Sequence, residues 1–262
     1  MNTLPSFLQR LSQAFLHAIF PPKCLICSAY FDSQHASAGQ DASYPLSDLS
    51  TPYFCESCRK GLTPIASPFC SKCGLPFVSR EGDIHTCSEC ITEIRYFRIA
   101  RAFGVYDDSL MEAIHLLKYG RKISMSRPLG ALAKETFFQF WDGDAIDLLV
   151  PVPLHVKRLR ERGFNQAHLL IRRWAKQEGI PFDGLTLSRS RWTAPQTELS
   201  RSERRKNIKG AFSIRHPERI KGRKIVLVDD VYTTGATVNE CARVLMKAGA
   251  EFVDVLTLAR AV

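Results

Sequence analysis

From Tyr96 onward, short apolar runs alternate with stretches of helical spacing. Tyr96, Ile99, Phe103 and Val105 mark a strand within Arg95–Tyr106, and Ser109–Tyr119 reads as a helix with Asp108 as N-cap and Gly120 ending it. Pro128–Trp141 is a second helix with one apolar face. Asp147–Pro153 carries an unbroken aliphatic run closed by prolines, which fits a strand buried on both faces. Asn165–Glu178 places Ala167, Leu170, Ile171 and Trp174 on one side of a helix. A short strand follows at Leu185–Ser188, then a buried strand at Ile225–Val228. Thr237–Gly249 is a helix with Val238, Ala242, Leu245 and Met246 on its core face, and Phe252–Leu258 is a last strand. This alternation predicts an α/β fold, a mostly parallel sheet flanked by helices, with ligands at the carboxyl ends of the strands.

The earlier part of the chain obeys a different rule. Leu4, Phe7, Leu8, Leu11, Phe15 and Ile19 recur at helical spacing, so residues 1–22 read as an amphipathic N-terminal helix. That helix either packs on the protein's own surface or docks on a partner or membrane surface. The segment lacks an early basic residue and an Ala-x-Ala site, which separates it from a signal peptide. Residues 23–95 then hold four Cys-x-x-Cys pairs: Cys24/Cys27, Cys55/Cys58, Cys70/Cys73 and Cys87/Cys90. Two residues between cysteines let both sulfurs turn onto one metal, and two such knuckles complete a tetrahedral site. Four pairs without an export signal point to two structural zinc sites rather than disulfides or a redox pair. The knuckles pair either in sequence order or interleaved. Four thiolates fill each coordination shell, leaving no open position for hydrolysis, and His35 and His85 read as surface residues. The insert Ser28–Phe54, rich in Ser, Ala and Asp, reads as a mobile loop. Cys241 falls on the core face of its helix as a small buried hydrophobe.

The chemistry concentrates where the Ile225–Val228 strand ends. Asp229 and Asp230 follow it directly, then Thr233-Thr234-Gly235-Ala236-Thr237 opens the next helix. A helix N-terminus offers unpaired N–H groups and partial positive charge, small residues let the backbone approach closely, and the threonines add hydroxyl donors, so the turn suits a phosphate. The two acids suit sugar hydroxyls or Mg²⁺. Phosphate, ribose and metal together describe a phosphorylated sugar. A second anion site follows Pro153, where a basic loop with Lys157, Arg158, Arg160 and Arg162 leads through Gly163 into Asn165 and Gln166 at a helix start. Lys118, Arg121 and Lys122 cluster at another helix end, either serving the dipole or reaching a ligand phosphate. The polar stretch Gln196–Phe212 either folds over a ligand or forms a solvated helix.

Charge agrees with anionic ligands. The chain has 262 residues, a formal net charge of +10 and 45% hydrophobic residues, with no apolar run near the roughly 20 residues that span a bilayer. From Leu154 to Lys224 there are 19 Lys and Arg against 6 Asp and Glu.

Residues 225–237 resemble the PRPP-binding signature of type I phosphoribosyltransferases. With the cysteine array, Val150-Pro151-Val152-Pro153, Arg162-Gly163-Phe164-Asn165-Gln166-Ala167, Gln196-Thr197 and Arg204-x-x-Asn207-x-x-Gly210-Ala211-Phe212, the chain is similar to the ComF family over nearly its whole length. That resemblance implies a double zinc-ribbon module at 23–95, a phosphoribosyltransferase domain at 96–262 and a place in the bacterial cytoplasm. It implies PRPP bound with Mg²⁺ at Asp229 and Asp230, the 5′-phosphate on Thr233, Thr234, Gly235, Ala236 and Thr237, and Tyr232 among the PRPP-binding residues. The pyrophosphate would lie near Arg162, Gly163, Asn165 and Gln166, with Arg204 and Asn207 on a closing loop. Asp229, Asp230, Arg162 and Arg204 would then carry catalysis of phosphoribosyl transfer. Some members handle incoming single-stranded DNA in natural transformation, beside other DNA-uptake proteins. A second reading is a non-catalytic PRPP-sensing adaptor that holds single-stranded DNA through its basic loops, with Phe164 and Trp192 for stacking. A third makes the zinc module a protein-docking platform. No segment announces a general base or an acceptor pocket.

Overall fold

A computed structural model of the chain describes residues 21–31, 53–77, 84–193 and 201–262, with the side chains of Arg201, Ser202, Arg204 and Arg205 excepted. The helix expected over Met1–Phe20, most of the insert Ser28–Phe54 and the start of the Gln196–Phe212 stretch lie outside the described residues. The chain divides into two compact units, residues 1–61 and 62–262.

The smaller unit holds the first two knuckles. Cys24 opens a tight turn in which Ser28 N–H donates to the Cys24 carbonyl (3.0 Å) and Cys24 N–H to Ala29 (2.8 Å). Cys55 precedes the single-turn helix α1, Glu56–Lys60, which buries Cys58.

The larger unit opens with the third knuckle. Gly74 sits at φ +67°, and a Cβ there would meet the Ala100 carbonyl at 2.7 Å, so only glycine lets the knuckle close on the strand behind it. Cys87 leads into α2, Ser88–Thr92. Then come β1 (Ala100–Val105), α3 (Asp108–Lys118), α4 (Ser126–Phe140), β2 (Leu148–Pro151), α5 (Val156–Arg162), α6 (Gln166–Gln177), β3 (Leu187–Arg189), α7 (Arg201–Ile208), β4 (Phe212–Ile214), β5 (Lys224–Tyr232), α8 (Ala236–Lys247) and β6 (Phe252–Arg260). Four strands form one parallel sheet in the order β1-β6-β5-β2. The fold is therefore α/β with a parallel sheet, as the alternation predicts. Ile225 and Leu227 face α8, whose Val238, Ala242 and Leu245 share their cluster, and the period of two turns Val226 and Val228 to the opposite face. There α4 and α6 pack on each other and on the sheet. Cys70, Cys73, Cys87 and Cys90 belong to the same buried cluster as the α8 face, so this knuckle pair is built into the core of the larger unit.

Three local differences from the sequence reading have physical causes. β5 continues past Val228 through the acid pair to Tyr232, because its backbone ladder with β6 runs on to the Tyr232–Arg260 register pair. The basic segment after Pro153 is helix α5 rather than a loop. His155 caps it by accepting from Lys157 N–H (3.2 Å), and Gly163 at φ +86° ends it. The short third strand pairs antiparallel with β4, apart from the main sheet.

Candidate functional site

The eight knuckle cysteines form two groups in sequence order, Cys24/Cys27/Cys55/Cys58 and Cys70/Cys73/Cys87/Cys90, with the four sulfurs of each within 4.8 Å of one another. A tetrahedron of zinc–sulfur bonds of about 2.3 Å has sulfur–sulfur edges of about 3.8 Å. Cys27–Cys55 and Cys73–Cys87 both stand at 3.7 Å, so the residues fit tetrahedral zinc and the interleaved pairing is set aside. In the second group, Cys70 Sγ accepts from the amides of Cys73 (3.4 Å) and Cys87 (3.3 Å). Burial pushes this thiol up, but the amide bonds outweigh it and bring it down to about 7, which prepares a thiolate ligand. His85 stands outside both groups and stacks on Phe77.

The parallel sheet opens at its carboxyl ends onto a cavity of about 690 Å³. Asp229 and Asp230 form part of its wall at the end of β5, and Val152–His155 after β2 and Tyr106 after β1 form others. The acids are in successive strand positions, so their side chains start on opposite faces. Asp229 turns its Oδ1 back to accept the Asp230 N–H (2.9 Å). Asp230, 4% exposed, pairs through Oδ1 with Lys118 Nζ at 2.8 Å, while its Oδ2 is buried without a partner among the described residues. An orphaned anionic oxygen beside a cavity fits a ligand cation or hydroxyl. Burial, and next the neighbouring Asp230 charge, push the Asp229 carboxyl up to about 7. Burial by itself would lower the Lys118 ammonium, but Asp230 outweighs it and raises it. Neither alternative that the sequence offered for Lys118, the helix dipole or a ligand phosphate, describes what it does here: it is the counter-ion of Asp230.

Beyond the acids the chain turns sharply. Gly235 caps α8 at φ +74°, in the left-handed region, and a Cβ there would collide with the Tyr232 hydroxyl and ring. Glycine is required for both reasons. Thr234 is buried and its hydroxyl accepts the Ala236 N–H (3.4 Å), while Thr233, Gly235, Ala236 and Thr237 line the cavity with Tyr232. Helix α8 thus begins at the cavity wall, and N-terminal amides there can hold an anion.

Of the second expected anion group, Arg162 and Gln166 line the cavity and bond each other at 2.7 Å, and the Arg162 guanidinium lies 5.4 Å over the Tyr119 ring. Burial lowers the Arg162 guanidinium, with the Asp230 charge opposing it. Asn165 is used differently: its Oδ1 caps α6 by accepting from Ala167 (3.0 Å) and His168 (3.4 Å), and its Nδ2 donates to Val152 (3.0 Å). It positions the segment. Gly163 supplies the left-handed turn and is not part of the cavity wall. Asn207 is half-buried near the end of α7, its carbonyl accepting from Arg191 at 2.8 Å, and also stands off the wall. The side chain of Arg204 lies outside what is described.

The cavity also gathers Tyr106, His115, Arg189 and Thr193, which the sequence did not single out as a site, and Trp192, which it offered only as a stacking residue. Tyr106 Oη lies 2.8 Å from His115 Nε2, giving the wall a group that can hold or take a proton. Arg189 bonds the Thr193 hydroxyl, and both line the cavity. Trp192 is 37% exposed on the rim, with Lys157 Nζ 4.9 Å and Arg158 5.7 Å from its ring centre. The available signal was positional: Tyr106 sits at the carboxyl end of its strand, as the acids do.

Residues 159–261 match the phosphoribosyl transferase domain family, and residues 48–91 the double zinc ribbon domain family. Competence protein F of Haemophilus influenzae is 33% identical over 217 residues, covering 79% of this chain and 90% of that protein. Competence protein ComFC of Bacillus subtilis is 30% identical over 243 residues, covering 90% and 94%. DNA utilization protein YhgH of Salmonella typhimurium is 32% identical over 209 residues, covering 79% and 89%. Among the described residues, no helix is long and apolar enough to cross a membrane.

Proposed function

The chain belongs to the ComF family, joining a double zinc ribbon to a phosphoribosyltransferase domain, and from that premise we propose that its cavity binds PRPP with Mg²⁺ and transfers phosphoribosyl to an acceptor. The observation that carries this reading is the end of β5. Two adjacent acids, one with an orphaned buried oxygen, lead into a left-handed glycine and a helix N-terminus that face one cavity.

In this reading Asp229 and Asp230 hold the ribose hydroxyls, and the turn at Thr233–Thr237 cradles the 5′-phosphate. Arg162, steered by Gln166, holds the pyrophosphate, with Arg204 and Asn207 supplied by the segment around α7. The acid pair also fits Mg²⁺, which would spread the charge of the leaving pyrophosphate. In the transfer, the bond from C1 to the pyrophosphate oxygen breaks and its electron pair leaves with pyrophosphate. A bond forms from the acceptor to C1, and the acceptor's proton passes to His115, held by Tyr106. Fixed cations and amides supply most of the rate by stabilising the leaving group. The similarity to competence protein F and to competence protein ComFC supports the further reading that the activity serves DNA uptake on the cytoplasmic side.

A calorimetric titration of PRPP and Mg²⁺ into the zinc-loaded protein tests the site. Binding to the wild type, lost in the Asp229→Asn, Asp230→Asn double variant, is the expected result. Equal affinity in the two proteins would remove the acid pair from the site. Pyrophosphate release in an acceptor screen then tests the transfer.

A second reading rests on the Trp192 rim, an exposed indole with two cations near its ring. The chain would serve as a PRPP-sensing adaptor that holds single-stranded DNA by stacking and charge. Steeply salt-dependent binding of an oligonucleotide, weakened in Trp192→Ala, without pyrophosphate release, would favour it.

A further inference from the structure

The second zinc group and the phosphate turn meet in one buried residue. Arg260, at the end of β6 and 4% exposed, is the register partner of Tyr232 on β5. Its Nη1 donates to the carbonyls of Thr233 (2.7 Å) and Ala261 (2.7 Å), and more weakly to Tyr232 (3.4 Å). Its Nη2 reaches Cys73 Sγ at 3.8 Å. The guanidinium also lies 4.2 Å from the centre of the Tyr232 ring, the ring that leaves room only for glycine at position 235. One fork thus touches the carbonyl of a cradle residue, the ring beneath the cradle and a metal-ligating sulfur.

Charge explains why the fork stays there. Among the described residues no carboxylate pairs with Arg260, and a buried guanidinium without a counter-ion is costly. Four thiolates around one Zn²⁺ leave a net charge of about −2 on the cluster. The Cys70/Cys73/Cys87/Cys90 cluster is therefore the anion that holds Arg260 in place. A second tie supports the connection. Asn239, in the first turns of α8, accepts the Tyr96 N–H (2.8 Å) and donates to the Ile94 carbonyl (3.0 Å), gripping the chain where it leaves the knuckle. Phe97 packs edge-on against Tyr232 at 6.2 Å.

We propose that Arg260 is a positioning residue through which zinc at Cys70/Cys73/Cys87/Cys90 and a sugar phosphate on the Thr233–Thr237 turn stabilise each other's binding. The zinc sets the fork, the fork sets the Thr233 carbonyl and the Tyr232 ring, and these set the left-handed turn. The inference rests on the phosphate site proposed above. Linkage makes the effect reciprocal: the factor by which phosphate tightens zinc binding equals the factor by which zinc tightens phosphate binding.

The test uses the full zinc-loaded chain and ribose 5-phosphate, which needs no Mg²⁺ to carry its phosphate to the turn. A zinc-selective chelator is added, and alkylation of each cysteine is followed by mass spectrometry. Saturating ribose 5-phosphate is expected to protect Cys70, Cys73, Cys87 and Cys90 about tenfold, within the usual range of coupling between sites. Removal of that zinc should weaken ribose 5-phosphate by a similar factor in calorimetry. In Arg260→Met the protection factor should fall to about one. Arg260→Lys keeps the charge but not the fork, and should keep part of it. A merely structural loss would speed alkylation equally with and without ligand, leaving the ratio unmoved. Ribose 5-phosphate that binds the wild type without changing alkylation overturns the coupling alone. An unchanged ratio in a folded Arg260→Met overturns the role of Arg260. Ribose 5-phosphate that fails to bind the wild type overturns the coupling and the phosphate site together.

Discussion

Replacing Asp229 by asparagine should raise the stability of the ligand-free protein, and only toward neutral and alkaline pH. Burial and the neighbouring Asp230 lift the Asp229 carboxyl from its ordinary 3.8 to about 7. A carboxyl whose pKa is raised on folding favours the native state most fully below about pH 4, and that contribution is lost as pH rises through about 7. At about 1.36 kcal/mol per pH unit, the rise from 3.8 to about 7 puts the full cost of the ionised group near 4 kcal/mol. Water in the cavity screens part of it, which leaves about 2–4 kcal/mol at pH 8. Asparagine removes the charge and keeps an oxygen to accept the Asp230 N–H, so little else is lost. Zinc-loaded wild type and Asp229→Asn would be compared by thermal denaturation at pH 4.5, 6 and 8. The variant should melt about 5–10 °C higher at pH 8, with the gap closing toward pH 4.5. A variant equally or less stable at pH 8, or a gap that ignores pH, would refute the repulsion argument. The same substitution should abolish binding of PRPP with Mg²⁺. An acid pair kept at a cost in stability is what a binding site for cations and sugar hydroxyls requires.

Other substitutions probe separate parts of the account. Lys118→Met removes the only ion-pair partner that the described residues give Asp230 and leaves two adjacent carboxylates with only the Arg162 and Arg189 guanidinium charges nearby, so the variant should lose about 3 kcal/mol by denaturation at pH 8 and regain part of it in acid as the pair takes up a proton. Gly235→Ala forces an L-residue into φ +74° against the Tyr232 ring, and should cost about 2 kcal/mol or more and lose ribose 5-phosphate binding by calorimetry. Cys70→Ser should lower bound zinc by one ion per chain in metal analysis and destabilise the larger unit, since its cysteines sit in that unit's core. Binding of PRPP with Mg²⁺ should tighten as pH rises from 6 to 8 and release a proton from Asp229, seen as a buffer-dependent heat.

Much of the site was readable in the sequence because it is local. The acid pair, the glycine turn and the helix start are contiguous, and each knuckle is a four-residue motif. What was not readable is what the parallel sheet assembles from afar. Lys118 meets Asp230 across 112 positions of the chain, and Arg260 meets Cys73 across 187. Neither pair leaves a periodic trace, and an arginine at the end of a strand reads as solvated until its ladder partner is known. The knuckle order was open because spacing alone permits interleaving, and only the 3.7 Å sulfur separations decide it. Asn165 shows a different limit: a motif gives a residue's place in the chain but not its partners, and this side chain spends its bonds on a helix cap and a strand carbonyl.

The most direct measurement is a crystal structure of the zinc-loaded chain soaked with PRPP and Mg²⁺. The account predicts the 5′-phosphate on the amides and hydroxyls of Thr233–Thr237, the ribose hydroxyls and metal at Asp229 and Asp230, and the pyrophosphate beside Arg162. A ligand bound elsewhere, or a cavity without density under conditions that saturate binding in solution, would contradict it.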